Sequence, residues 1–223
     1  MVERCGGSQA REFFFSIFFR KIIKKVFFSR SASKLRALQN LLEQRRMKNI
    51  LYFDLETQRS AEEVGGWDKI CNMGMSVGVL YSTATNSYTI YSEKQIDQLL
   101  KDLLRADLIV GFNHLRFDFE VLHGYTALDL RQLPTLDLLK NLADRLQHRL
   151  SLDAIATATF GLEKTAEGLQ AIQWYREGKM LEIAEYCCYD VQLTKLVHEF
   201  GIQNRELHYH NRFGVKLTVP VSW

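Results

Sequence analysis

A chain of 223 residues with 47% hydrophobic and 25% charged residues is long enough for one full-sized domain with a substantial core. That excludes a chain disordered throughout, a collagen and a disulfide-stapled miniprotein, and two prolines with thirteen glycines exclude broad low complexity. The formal net charge of +3 is unevenly divided: residues 1–46 hold eleven Lys/Arg against three Asp/Glu, leaving 18 basic and 23 acidic residues of the chain's 29 and 26 for 47–223. A mildly acidic body lacks the broad basic face that coats long duplexes by counterion release, so any nucleic acid it handles is held locally. Four cysteines, Cys5, Cys71, Cys187 and Cys188, form no C-x-x-C pair and read as reduced, mostly buried thiols of an intracellular, cytoplasmic protein.

In chain order, the first segment is a basic, Phe-rich arm (1–46) that contains FFFSIFFRKIIKKVFFSR. Its longest apolar run, Phe13 to Phe19 interrupted by Ser16, falls short of the roughly 20 residues a membrane-spanning helix needs. Three readings stay open for the arm: an organellar transit peptide, a basic amphipathic helix on a membrane or nucleic acid, or upstream sequence translated from a misassigned start. Met47, which opens MKNILYFDLE directly before the first core strand, is the expected true start. The body is then expected over 47–205, with 206–223 as a C-terminal tail that is either a terminal strand or a loose end.

From Asn49 the apolar run Ile50, Leu51, Tyr52, Phe53 and Leu55 predicts a central strand covered on both faces. MSVGVLYS (75–82) and SYTIYS (87–92) predict a hairpin around Thr83–Asn86, so three strands open the fold as a meander. Ser92 is placed to cap a helix with the stripe Ile96, Leu99, Leu100, Leu103 and Leu104, and Asp107–Gly111 reads as a buried strand after that crossover, parallel to its partner. Helices are predicted at about 115–124, 136–147, 151–159, 166–177 and 179–200, with Ser151 and Gly161 bounding the third and Gly201 ending the last.

Polar residues stand where a core would prefer none. Asp54 and Glu56, two apart on a strand, point to one face and can converge on one ion. In GFNHLRFDFEVL (111–122), Asn113 suits a capping position and Asp118 falls on the first turns of a helix, where the dipole favours an anion. Tyr186 and Asp190, four apart on the last helix, share a face, and Asp190 borders the apolar stripe Val191, Leu193, Leu196 and Val197. Cys187 and Cys188 read as packing residues and Phe117 and Phe119 as core, while Asp137 in PTLDLL is a second acidic candidate near the site that matches no motif and reads rather as a helix-start residue. Four carboxylates brought together would repel one another unless cations neutralise them. All-oxygen ligation suits Mg²⁺ or Mn²⁺ rather than zinc, and two such ions about 3.5–4 Å apart are the usual clamp for phosphodiester displacement.

FDLE at 53–56, N-x-x-x-F-D at 113–118 and Y-x-x-x-D at 186–190 resemble, in order and context, the three exonuclease motifs of the DEDD superfamily. Over about 50–200 the chain resembles the tyrosine (DEDDy) branch of the ribonuclease H-like 3′–5′ exonucleases, near the YprB-like group. The histidine branch would carry His where this chain has Glu185. The resemblance implies an α/β, ribonuclease H-like fold: a five-stranded mixed sheet, three antiparallel strands then two parallel ones, flanked by helices. The fifth strand is then expected near Leu133–Leu136.

The resemblance further implies that Asp54, Glu56, Asp118 and Asp190 hold two Mg²⁺ or Mn²⁺ ions, with Asp54 shared between them. Tyr186 would position or help deprotonate the attacking water. One ion would activate that water and the other stabilise the departing 3′ oxygen, releasing a nucleoside 5′-monophosphate. The expected partner is a single-stranded or frayed 3′ end of DNA or RNA, with a protein partner as a further source of substrate choice. Asn113, His114, Arg116 and, for base stacking, Trp67 are candidate substrate contacts. Two rival readings keep the fold: a structure-specific endonuclease and a non-catalytic nucleic-acid-binding module.

Overall fold

The computed structural model describes residues 49–162 and 168–223. The readings of the arm, of Cys5, of Met47 as the start and of the first residues of the helix at 166–177 lie outside the described residues.

The central strand β1 (Ile50–Thr57) leads through a short helix α1 (Ala61–Val64) to the hairpin of β2 (Met75–Ser82) and β3 (Ser87–Ser92). Helix α2 (Ile96–Leu103) crosses to β4 (Leu108–Gly111), and α3 (Asp118–Leu122) precedes β5 (Thr135–Asp137). Helices α4 (Leu138–Leu146), α5 (Leu152–Phe160), α6 (Gly168–Arg176) and α7 (Met180–Asn204) follow, then strands β6 (Glu206–His210) and β7 (Lys216–Pro220).

The five strands pair in the order β3-β2-β1-β4-β5, antiparallel on the β3 side of β1 and parallel on the β4 side. This is the mixed sheet expected from the sequence, with the fifth strand starting two residues later than Leu133. Alternation along β1 divides the molecule. Leu51, Phe53 and Leu55 face a layer containing Leu99, Leu103, Phe119 and Leu122, whereas Tyr52 faces a second layer with Ile155, Ile183, Cys187 and Val191. Asp54 and Glu56 share the parity of Tyr52 and so point to the layer that α7 covers. Because β1 and β4 run parallel, their C-terminal ends, Asp54–Glu56 and Gly111, open at one end of the sheet.

Three local expectations are corrected. Helix α3 starts at Asp118 rather than near 115, because Asn113 adopts a left-handed conformation (φ 71°) and its carbonyl accepts from the N–H groups of Arg116 and Phe117 in a separate turn. The Asn113 side chain does not cap the helix; its Oδ1 accepts from Arg149 (2.8 Å). Gly201 does not end the last helix, which runs to Asn204 and stops on Arg205 in the left-handed region (φ 61°). The small residue at 201 is needed for packing instead: an added Cβ would lie 2.6 Å from Nε1 of Trp223.

Residues 206–223 are no loose end. β6 and β7 form an antiparallel hairpin whose Leu207, Tyr209 and Val219, with the following Val221, join the α7 core layer. Trp223 donates from Nε1 to the carbonyl of His198 (3.1 Å), which ties the terminus to α7. Among the described residues, no helix is long and apolar enough to cross a membrane.

Candidate active site

The site is built from β1, the turn after β4 and the middle of α7. On α7 the buried residues Ile183, Cys187, Val191, Thr194 and His198 follow helical spacing and seat the helix on the sheet. Tyr186 and Asp190, one turn apart, flank that stripe and face β1. Ligand atoms of Asp54, Glu56 and Asp190 all lie within 4.8 Å of one another. Asp118 stands beside them but outside that group. β4 pairs with β1 only as far as Tyr52, and beyond it the Leu55 N–H is taken by Asp118 Oδ1 (3.0 Å).

The electrostatics are those of an uncompensated anionic cluster. Burial, then the charges of Asp118, Asp190 and Glu56, push the Asp54 carboxyl well above its ordinary range, and a hydrogen bond from Cys187 opposes the shift. Glu56 is raised by burial and by Asp190 and Asp118. Burial pushes Asp118 up to about 8 against the pull of backbone N–H groups, and pushes Asp190 up to about 7 with help from Asp153, opposed by a hydrogen bond from Tyr186. Tyr186 is itself raised by burial and by the surrounding carboxylates, so it is a phenol rather than a phenolate at neutral pH. Among the described residues no lysine or arginine forms an ion pair with any of the four acids.

An open pocket of about 700 Å³ lies over the cluster, lined by Asp54, Glu56, Asp118 and Tyr186 on one side and by Trp67 and Phe117 among others. The Trp67 indole is 67% exposed, and its ring centroid is 6.4 Å from that of Phe117. Asn113 also lines the pocket, whereas Arg116 is exposed outside its lining. His114, a candidate substrate contact, is fully buried and so cannot reach a ligand from where it lies. Its Nε2 pairs with Thr135 Oγ1 (2.5 Å), and burial pushes its pKa down to about 4.

Two contributors were not legible in the sequence, and a third, Asp137, was legible only in part. Cys187, read as packing, also donates its thiol toward Asp54 Oδ2 (3.3 Å) and the Asp54 carbonyl (3.4 Å). Asp153 lines the pocket, yet its sequence setting is that of any acid in a helix's first turn. Asp137 is the helix-start residue expected, accepting from Lys140 N–H (3.0 Å), and it additionally holds the N–H groups of Asn113 (2.9 Å) and Leu115 (3.1 Å). It thereby fixes the turn that delivers Asp118.

A family model of the RNase_H superfamily matches residues 51–200, from β1 through most of α7. No curated protein matches the chain. Among solved structures, the family B DNA polymerase from the hyperthermophilic archaeon Pyrobaculum calidifontis is similar in fold, with a TM-score of 0.54 at 15% identity. The alignment covers 70% of this chain and 24% of the polymerase. Trypanosoma brucei RNase D aligns with a TM-score of 0.49 at 15% identity, over 73% of this chain and 60% of that one.

Proposed function

Because the chain belongs to the RNase_H superfamily, we propose that it is a metal-dependent 3′–5′ exonuclease of the tyrosine (DEDDy) branch, acting on single-stranded or frayed ends of DNA or RNA. The observation that carries this reading is the convergence of Asp54, Glu56 and Asp190 within 4.8 Å, with Tyr186 one helical turn from Asp190 on α7. The donor set fits hard divalent cations: it is all oxygen, largely buried and, among the described residues, without a protein cation to neutralise it. Mg²⁺ or Mn²⁺ held there would neutralise the carboxylates, activate water and stabilise the departing 3′ oxygen.

Asp54, Glu56 and Asp190 are the residues that would hold cations, and Asp118 adds a fourth carboxylate from the adjoining turn. Cys187 steadies Asp54 through its thiol. Tyr186 is suited to orienting the water and the Asp190 carboxylate rather than to removing a proton, since its pKa is raised. The pocket accommodates a terminal nucleotide, with the exposed Trp67 indole as a stacking surface for its base and Asn113 at the rim.

The test uses linear 5′-labelled single-stranded DNA and RNA, with circular DNA alongside, in Mn²⁺ or EDTA. The expected result is a metal-dependent ladder shortening from the 3′ end, an intact circle, and no activity in Asp54→Ala. Full activity in that variant contradicts the site assignment. A cut circle contradicts the exonuclease reading in favour of an endonuclease.

A further inference from the structure

The C-terminal hairpin lies beyond the stretch that matches the superfamily, and it is anchored at one end and bare at the other. At its base Leu207, Tyr209, Val219 and Val221 are buried, and Val221 N–H donates to the Arg205 carbonyl (2.9 Å). At its tip Phe213 is 73% exposed and Val215 53% exposed, large apolar exposures on a segment that needs neither for its own core. The tip is nonetheless ordered by its own bonds. Asn211 Oδ1 accepts from the N–H groups of Phe213 (2.9 Å) and Val215 (3.1 Å), Gly214 N–H donates to the Asn211 carbonyl (2.9 Å), and Gly214 takes the positive φ the turn requires (75°). The Arg212 guanidinium lies over the Phe213 ring, 4.7 Å from its centroid.

The charge of this tip contrasts with that of the body, and a short exposed segment connects the base of the hairpin to the pocket. In a body of net negative charge, the exposed Arg212 and Lys216 flank Phe213 in the chain, and Glu206 at the base is the hairpin's one acid. The exposed segment His148–Arg149 joins the two places. Arg149 donates to Asn113 on the pocket rim (2.8 Å), and the His148 ring packs against that of Tyr209 on β6, with centroids 6.0 Å apart. The segment 148–149 therefore links the pocket lining to the base of the hairpin, with Arg149 as its cation.

We propose that the β6–β7 hairpin is a single-strand-binding arm: Phe213 stacks a base and Arg212 and Lys216 contact phosphates of the strand whose 3′ end occupies the pocket. Cations interleaved with an exposed aromatic ring match the chemistry of a single-stranded polyanion, in which every base offers a π face and every linkage a charge. The inference rests on the nuclease reading of the pocket for its orientation.

The test measures binding of a fluorescently labelled long single-stranded oligonucleotide to the full chain in EDTA, across a salt series. Phe213→Ala is expected to weaken binding about tenfold, the order of one lost stacking contact. The pair Arg212→Ala/Lys216→Ala should lower the salt slope by about 1.4, since each single-strand phosphate contact contributes about 0.7. Both changes lie on the exposed tip, and unaltered thermal melts verify folding. Unchanged affinity and slope overturn the proposal. So does a wild-type chain that binds no strand. Hydrolysis by the wild-type chain in Mn²⁺ is scored separately: hairpin-dependent binding without hydrolysis supports the arm and sinks the nuclease reading.

Discussion

Asp54 and Tyr186 show how far a residue's placement follows from its spacing. Period two on β1 and one turn on α7 already place Asp54 with Glu56 and Tyr186 with Asp190, and the fold then brings the two pairs together. Cys187, by contrast, meets Asp54 across a separation of 133 residues, a contact that no local pattern encodes. His114 marks the opposite failure: a polar residue beside a motif looks like a ligand contact, but the fold spends it on Thr135 inside the core. The raised pKa of Tyr186 gives a specific expectation. If the hydroxyl positions water and Asp190 without itself accepting a proton, Tyr186→Phe should lower kcat by about 10²-fold while leaving the shape of the pH–rate profile unchanged. A profile that loses a limb in the variant would show the tyrosine acting as base.

At the scale of elements, the β2–β3 hairpin, α2 and β1 were readable because their apolar periodicity persists for six or more residues with clear turn residues between. β5 is only three residues long, too short to carry a period, and it exists because β4 offers it an edge. The end of α7 departs from the sequence expectation for a different reason. Glycine after a helical run ordinarily marks a C-terminus, but at 201 it makes room for the indole of Trp223, which bonds to His198 one turn back. Gly201→Ala is therefore expected to destabilise the protein by about 1–3 kcal/mol through overpacking, despite the better helix propensity of alanine. Tm should fall by several degrees, with an altered Trp223 fluorescence environment. An unchanged or higher Tm would mean that the indole is not held against α7.

At the scale of the whole molecule, a mixed sheet between two apolar layers supports a cluster of carboxylates that nothing in the described chain neutralises. Such a cluster opposes folding in proportion to its ionisation. Asp118 and Asp190 titrate near 8 and 7 in the folded chain against about 3.9 when unfolded, so the folded state binds more protons between those values. Their contribution to stability is complete below about pH 4 and is lost progressively as pH rises from there through 7 to 8. A cation that binds the ionised cluster competes with those protons and stabilises the fold by mass action, more strongly as pH rises. The most direct measurement is thermal unfolding with and without Mn²⁺ at pH 6 and pH 8, for the wild-type chain and for Asp54→Asn. A Tm increase that is larger at pH 8 and greatly reduced in the variant is the predicted result. A Tm indifferent to Mn²⁺ at both pH values, or raised equally in Asp54→Asn, would contradict the assignment of this cluster as the metal centre.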